Sequence, residues 1–178
     1  DGYDLTHREF FEKLIECSDV PKTSQISEYV FDEAIKKELE KSDAVIIIVM
    51  SGKLSGTCEQ ARKAAKKYDG KVKVLDSLNV AIGERILVEY AVRLRGEGKG
   101  LNETYNSLEE KKKKIRLLAL LDTLKYLRKG GRISAIKCIS GELLNIKPVI
   151  SLHGGEIKLV GKAIGSKKGN NLLNKMIE

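Results

Sequence analysis

The chain has 178 residues, with 42% hydrophobic and 33% charged side chains, which is the balance of a folded protein with a core and excludes a disordered one. Its net charge of +8 raises nucleic acid as a partner, but aromatics are 5% and tryptophan is absent, so stacking platforms are scarce and a solvated basic surface is the simpler reading. The longest apolar run, Ala44 to Met50, is strand-sized, so no stable membrane insertion is expected, and the opening Asp1-Gly2-Tyr3-Asp4 has no leader pattern. Cys17, Cys58 and Cys138 are odd in number and widely spaced, giving neither a disulfide framework nor a zinc site, and a cytoplasmic protein is expected.

In chain order, Thr6 and Glu9 fit a capping box ahead of Phe10, Phe11, Leu14 and Ile15 at helical spacing. The stretch from Pro21 to Gln25 reads as a loop, and a second helix is predicted from about Ser27 to Glu40. Ala44 to Met50 is β-branched and does not alternate, the pattern of a strand buried on both faces of a parallel sheet. A loop from Ser51 to Gly56 leads to a helix over Thr57 to Tyr68, with Thr57 and Gln60 as a capping pair. Val72 to Leu75 is a short strand, and helices follow from about Val80 to Arg95 and from Leu101 to Lys114.

After Ile115 the pattern changes. A strand is predicted over Arg116 to Leu121, a short helix over Thr123 to Lys129, and a helix over Ile133 to Leu144. A hairpin about His153-Gly154-Gly155 and a final helix from Lys167 to Glu178 complete the chain. The fold class is therefore α/β: a parallel sheet flanked by helices over residues 1–113, then a second α+β domain over 114–178.

Three stretches can carry chemistry. Ser55 follows a buried strand and precedes a helix, where free backbone N–H groups suit a carboxylate or phosphate, and Gly52 and Gly56 allow close approach. Ser55 and Thr57 serve equally well as simple helix caps. Thr23-Ser24-Gln25 is a second hydroxyl-rich loop that also reads as a cap. Arg132 follows Gly130-Gly131 and is either a bidentate anion donor or an exposed basic helix end. No HExxH, GxSxG or Walker sequence is present, and His7 and His153 are the two histidines. Two other function classes remain: an acyl hydrolase using Ser55, and a basic DNA-binding regulator.

Taken together these stretches resemble the DegV family. Pro21-Lys22-Thr23-Ser24-Gln25 is similar to its TSQPS loop, with Ile26 where the family has Pro. Ser51 to Thr57 is similar to its SSxLSGTY loop, with Cys58 in place of Tyr. Asp122 to Ser134 is similar to its DTLEYLxKGGRIS segment, and Val74 to Ser77, Leu143 to Pro148 and Gly161-Lys162 add support. The resemblance implies a two-domain α/β protein from a bacterium that holds a long-chain fatty acid in a buried tunnel, with no further cofactor. It implies that Thr23 and Ser55 hold the carboxylate, with Arg132 beside it and Ser24, Gly56 and Thr57 supporting the loop. It also implies a non-catalytic subunit that presents the lipid to an ATP-dependent fatty acid kinase, feeding phospholipid synthesis. The family opens with a strand that this chain lacks and continues past the position of Glu178, in a part that carries a histidine which His153 does not match. Lys162, Lys167 and Lys168 are candidate contacts for an acidic partner surface.

Overall fold

The computed structural model describes residues 4–132 and 146–177. Helix α1 (His7–Glu16) opens on the expected capping box: Thr6 Oγ1 accepts from Glu9 N–H, and a Glu9 carboxylate oxygen accepts from Thr6 N–H at 2.8 Å. Helix α2 (Glu28–Leu39) starts at Ser27, whose Oγ accepts from Val30 N–H. Strand β1 (Val45–Val49) then pairs in parallel with β2 (Val72–Asp76), from Val45 opposite Val72 to Val49 opposite Asp76. Helix α3 (Thr57–Ala65), continued by a 3-10 turn over Lys66–Tyr68, is the crossover between them.

The lack of alternation in β1 has a direct cause, since both faces of the pair are covered. Val45, Ile47, Val49, Val72 and Val74 face α2 and α3, where Ile35, Cys58, Ala61 and Ala64 are buried against them. Ile46, Ile48 and Leu75 face the other way, toward Leu87 of α4 (Ala81–Gly96) and Leu108 of α5 (Leu101–Lys112). Leu75, Leu87 and Leu108 are fully buried, each worth about 1.5–3 kcal/mol relative to exposure. The expected complete burial of β1 is not reached, and Val45 to Ile48 are only half-buried. The reason is lateral: among the described residues β1 has a strand neighbour on one edge only.

The second sheet is antiparallel, in the order β3 (Leu117–Leu120), β4 (Ile146–His153), β5 (Glu156–Ile164). The β4–β5 hairpin is longer than the sequence suggests, running from Ile146 opposite Ile164 to His153 opposite Glu156 with an irregularity at Val149/Ile150. Helix α6 (Lys125–Lys129) starts two residues later than expected, and the Thr123 hydroxyl accepts from Lys125 N–H. Helix α7 (Ser166–Ile177) lies across the sheet. It approaches closely because two glycines face large side chains: Gly169 meets Leu120, and Gly161 meets Leu172. The helix expected over 133–144 lies outside the described residues. The architecture is thus mixed α/β, a parallel pair between helices joined to an antiparallel sheet.

Candidate functional site

The chain leaves β1 at its carboxyl end through Ser51 and turns back at once. Leu54 and Ser55 N–H both donate to the Ser51 carbonyl. Asp76, at the end of β2, fixes this turn from the neighbouring strand: its Oδ1 accepts from Gly52 N–H at 3.2 Å and from Leu78 N–H at 2.9 Å. A Cβ at position 52 would sit 2.8 Å from the other Asp76 oxygen, so glycine there is what lets the turn close on the carboxylate.

Thr57 is not the helix cap that its spacing from Gln60 suggests. The N-cap is Gly56, which has no side chain to offer, and Thr57 is the first helical residue. The capping role moves to Ser55, whose Oγ accepts from Thr57 N–H at 3.2 Å. Because the helix begins at Thr57, its hydroxyl turns back to Ser55 Oγ, 2.9 Å away, and accepts from Ile26 N–H at 3.4 Å. The two hydroxyls hold two protons, and their mutual bond uses one. When Thr57 donates to Ser55, the Ser55 proton is left for a ligand. Ser55 is half-buried and Thr57 is buried.

All three sequence stretches converge here. The 17–27 loop reaches Thr57 through Ile26, and Gln25 lies across Gly56 so tightly that a Cβ would fall 1.7 Å from its Oε1. Thr23 and Ser24 lie just upstream of Gln25, exposed, with no hydrogen bond from either hydroxyl among the described residues. Arg132 arrives from the Gly130-Gly131 turn, where Gly131 adopts a φ of 73°. Its Nε donates to the Leu54 carbonyl at 3.1 Å, and Nη1 donates to the Gly130 carbonyl. Arg132 is exposed, and two of its five N–H groups are committed to backbone in this way.

The hairpin closes one flank. The buried Ser51 hydroxyl donates to the Gly155 carbonyl at 2.7 Å, and Lys53 pairs with Glu156 at 3.0 Å. Leu54 and the half-buried Val80, Leu121, Leu124 and Leu127 pack on Ile150, Leu152 and Ile157, so the loops after β1 and β2 and the antiparallel sheet contribute to one apolar cluster next to Ser55. Beneath the loop, burial pushes the Cys58 thiol up, keeping it a neutral core residue. Open cavities of about 410 and 340 Å³ lie elsewhere; the larger is lined in part by Leu78, Asn79, Lys112 to Lys114 and Arg116, and neither is lined by Thr23, Ser55 or Arg132. Lys162, Lys167 and Lys168 are exposed on β5 and α7. No described helix is long and apolar enough to cross a membrane.

Sequence reasoning missed three contributors: Asp76 as the clamp on the Ser51–Ser55 turn, Gln25 as the cover of Gly56, and Ser51 as the tie to the hairpin. Only Asp76 had a signal, its place at the end of a predicted strand beside the loop.

A family model described as an uncharacterised protein of the DegV family matches residues 1–178. The chain belongs to the DegV family. A DegV domain-containing protein of Caldanaerobacter subterraneus subsp. tengcongensis is 36% identical over 169 residues, covering 94% of this chain and 60% of the relative. Among solved structures, this DegV-family chain is similar to a DegV protein from Thermus thermophilus described by its fatty acid binding, with a TM-score of 0.90 and 34% identity over 99% of this chain and 63% of that one. It is also similar to a Thermotoga maritima protein described as revealing a fatty acid binding function, with a TM-score of 0.83 and 29% identity over 96% of this chain and 59% of that one. The chain thus spans about three fifths of the length of the relatives it matches.

Proposed function

We propose that this chain holds the carboxylate of a long-chain fatty acid at the Ser55 turn and lays the acyl tail along the leucine-rich cluster beside it. The observation that carries this reading is the convergence of three loops on Leu54–Thr57, with a hydroxyl proton left over next to an apolar cluster that Leu54 and Val80 share with the antiparallel sheet. The similar proteins described as binding fatty acids support it.

Chemically the parts suit an amphiphile. A buried carboxylate needs hydrogen bonds. Ser55, Thr23 across the loop, and the N–H groups of Arg132 not held by Leu54 and Gly130 supply them. Gly56 and Thr57 keep the two loops together through Gln25 and Ile26, with Ser24 supporting the same loop. A tail of about 15 methylenes contributes on the order of 12 kcal/mol before the costs of association. The chain needs no cofactor for this and performs no chemistry itself. An ATP-dependent kinase partner transfers the γ-phosphoryl group to the presented carboxylate, giving acyl phosphate and ADP.

Displacement titration with a fluorescent fatty acid tests the head-group assignment. Losing a hydrogen bond to a charged group costs about 1.5–3 kcal/mol, so Ser55→Ala is expected to weaken binding roughly tenfold or more. Unchanged affinity in a folded Ser55→Ala protein would reduce Ser55 to a helix cap. Labelling of Ser55 by a serine-reactive acyl phosphonate would favour the hydrolase reading instead.

A further inference from the structure

Between residues 111 and 116 every position but Ile115 is a cation, and the first three cations are engaged within the fold. Lys111 Nζ stands 5.3 Å from the centre of the Tyr90 ring. Lys112 pairs with Glu109 at 2.9 Å and donates to the Asp76 carbonyl at 3.0 Å, and Lys113 pairs with Glu110 at 2.6 Å. Lys114 and Arg116 are exposed, and no carboxylate pairs with either among the described residues. Both line the open cavity of about 410 Å³, together with the Leu78-Asn79 turn after β2, Ile115, Leu152 and Gly154 at the hairpin tip. No acidic side chain is among the described residues that line it. Arg116 also borders the cavity of about 340 Å³, where Lys158 is a further exposed cation.

Lysines at a helix end ordinarily answer the helix dipole, and that accounts for Lys112 and for Lys113, the C-cap of α5. It does not account for Lys114 and Arg116, which lie past the cap and line a concave surface. Like charges gathered in a cleft focus positive potential and repel one another, a cost that a bound anion removes. From this arrangement we propose that the cavity is a second ligand site, one for an organic phosphate, with the phosphate oxygens on Lys114 and Arg116 and the apolar part against Leu78 and Ile115. Arginine holds phosphate through its planar fork and lysine as a point charge. The cavity falls in the range of small-molecule sites, roughly 300–1,000 Å³, which is more room than a bare phosphate needs. Half-buried Leu78 and Ile115 and buried Leu152 give it an apolar wall. A Cβ added at Gly154 would meet nothing within 4 Å, so the hairpin tip leaves space at the rim. This goes beyond the carboxylate reading and fails separately from it, because the cavity is not lined by the Ser55 turn and the test needs no fatty acid.

The test is titration of the chain with the fluorescent N-methylanthraniloyl derivative of ADP, without added divalent cation, followed by displacement with ADP, dihexanoyl phosphatidic acid or inorganic pyrophosphate. Saturable binding is expected, weakening as salt rises. Either organic phosphate is expected to displace the probe at lower concentration than pyrophosphate does. Stronger displacement by ADP assigns the site to a nucleoside phosphate, and stronger displacement by phosphatidic acid assigns it to a lipid phosphate. Lys114→Gln with Arg116→Gln is expected to weaken binding at least tenfold, the scale of a lost hydrogen bond to a charged group. Lys63→Gln with Lys71→Gln removes the same charge from exposed positions on α3 and just before β2, and is expected to leave binding unchanged. Lys112 is kept in every variant because it holds the Asp76 carbonyl. Absence of probe binding, pyrophosphate displacing as well as both organic phosphates, or equal losses from the two double variants would overturn the proposal.

Discussion

The side-chain amide of Gln25 lies over Gly56, so close that a methyl group added at 56 would sit 1.7 Å from Gln25 Oε1. Gly56 has an ordinary right-handed backbone, so its value is in the absence of a side chain and not in conformational freedom. Residues 31 positions apart are thereby held together, and the Ile26–Thr57 hydrogen bond sits at the same contact.

Gly56→Ala is therefore expected to push Gln25 out and part the two loops, weakening fatty acid binding about tenfold or more, the scale of one lost bond to a charged ligand. Gln25→Ala removes the obstacle, so the double variant is expected to bind better than Gly56→Ala alone. A double-mutant cycle on affinity checks this, and additive effects would mean that the contact does not couple the loops.

Acid is expected to loosen α2. Lys36 and then Tyr68 hydrogen-bond to Asp32 and hold its carboxyl down to about 2, and Lys67 stands nearby. A carboxyl depressed in the folded state stabilises it above the ordinary carboxylate range, and that contribution disappears as pH falls from about 4 toward 2. Thermal melts across this range are expected to show a steeper fall for the wild type than for Asp32→Asn, whose melting temperature is lower at neutral pH.

Much of this architecture is written in the sequence, for reasons visible at single residues. Thr6 and Glu9 announce α1 because a capping box is local, and the apolar run of β1 announces a two-faced parallel strand because a β-branched run without alternation is legible without tertiary knowledge. The start of α3 misled, because Thr57 and Gln60 have capping spacing while Ser55 does the capping from outside the helix. Ser51 to Gly155 spans 104 positions and leaves no trace in any window. Leu78 and Ala81 adopt positive φ angles that neither residue type advertises, since the surrounding turn imposes them. Thr23, Ser55 and Arg132 stood out through likeness to a family, and what physics alone offered at each was a hydroxyl or a guanidinium near a helix end.

The hairpin tie gives a stability prediction. Ser51→Ala leaves the buried Gly155 carbonyl without its donor, which costs about 1–3 kcal/mol. Gly155→Ala is expected to cost more, because φ is 85° there and the new Cβ would lie 2.6 Å from Ser51 Oγ and 3.2 Å from Leu78. Urea midpoints rank the two, and a Gly155→Ala protein as stable as wild type would show that the hairpin does not rest on Ser51.

Arg132 is expected to need its shape as well as its charge. Nε holds the Leu54 carbonyl while the other edge of the guanidinium remains for a ligand, a division that a lysine ammonium cannot reproduce. Arg132→Lys is thus expected to lose most of the fatty acid affinity that Arg132→Ala loses, again near tenfold. Full retention by Arg132→Lys would leave only a general charge effect.

The central claim, that this chain carries a fatty acid by its carboxylate at the Ser55 turn, is most directly tested by mass spectrometry of the organic extract from freshly purified, denatured protein. The account predicts a long-chain fatty acid near one per chain from the wild type, and strong depletion from Ser55→Ala and from Arg132→Ala purified in parallel. A folded wild-type protein that yields no fatty acid, or a Ser55→Ala protein as fully loaded as the wild type, would contradict it.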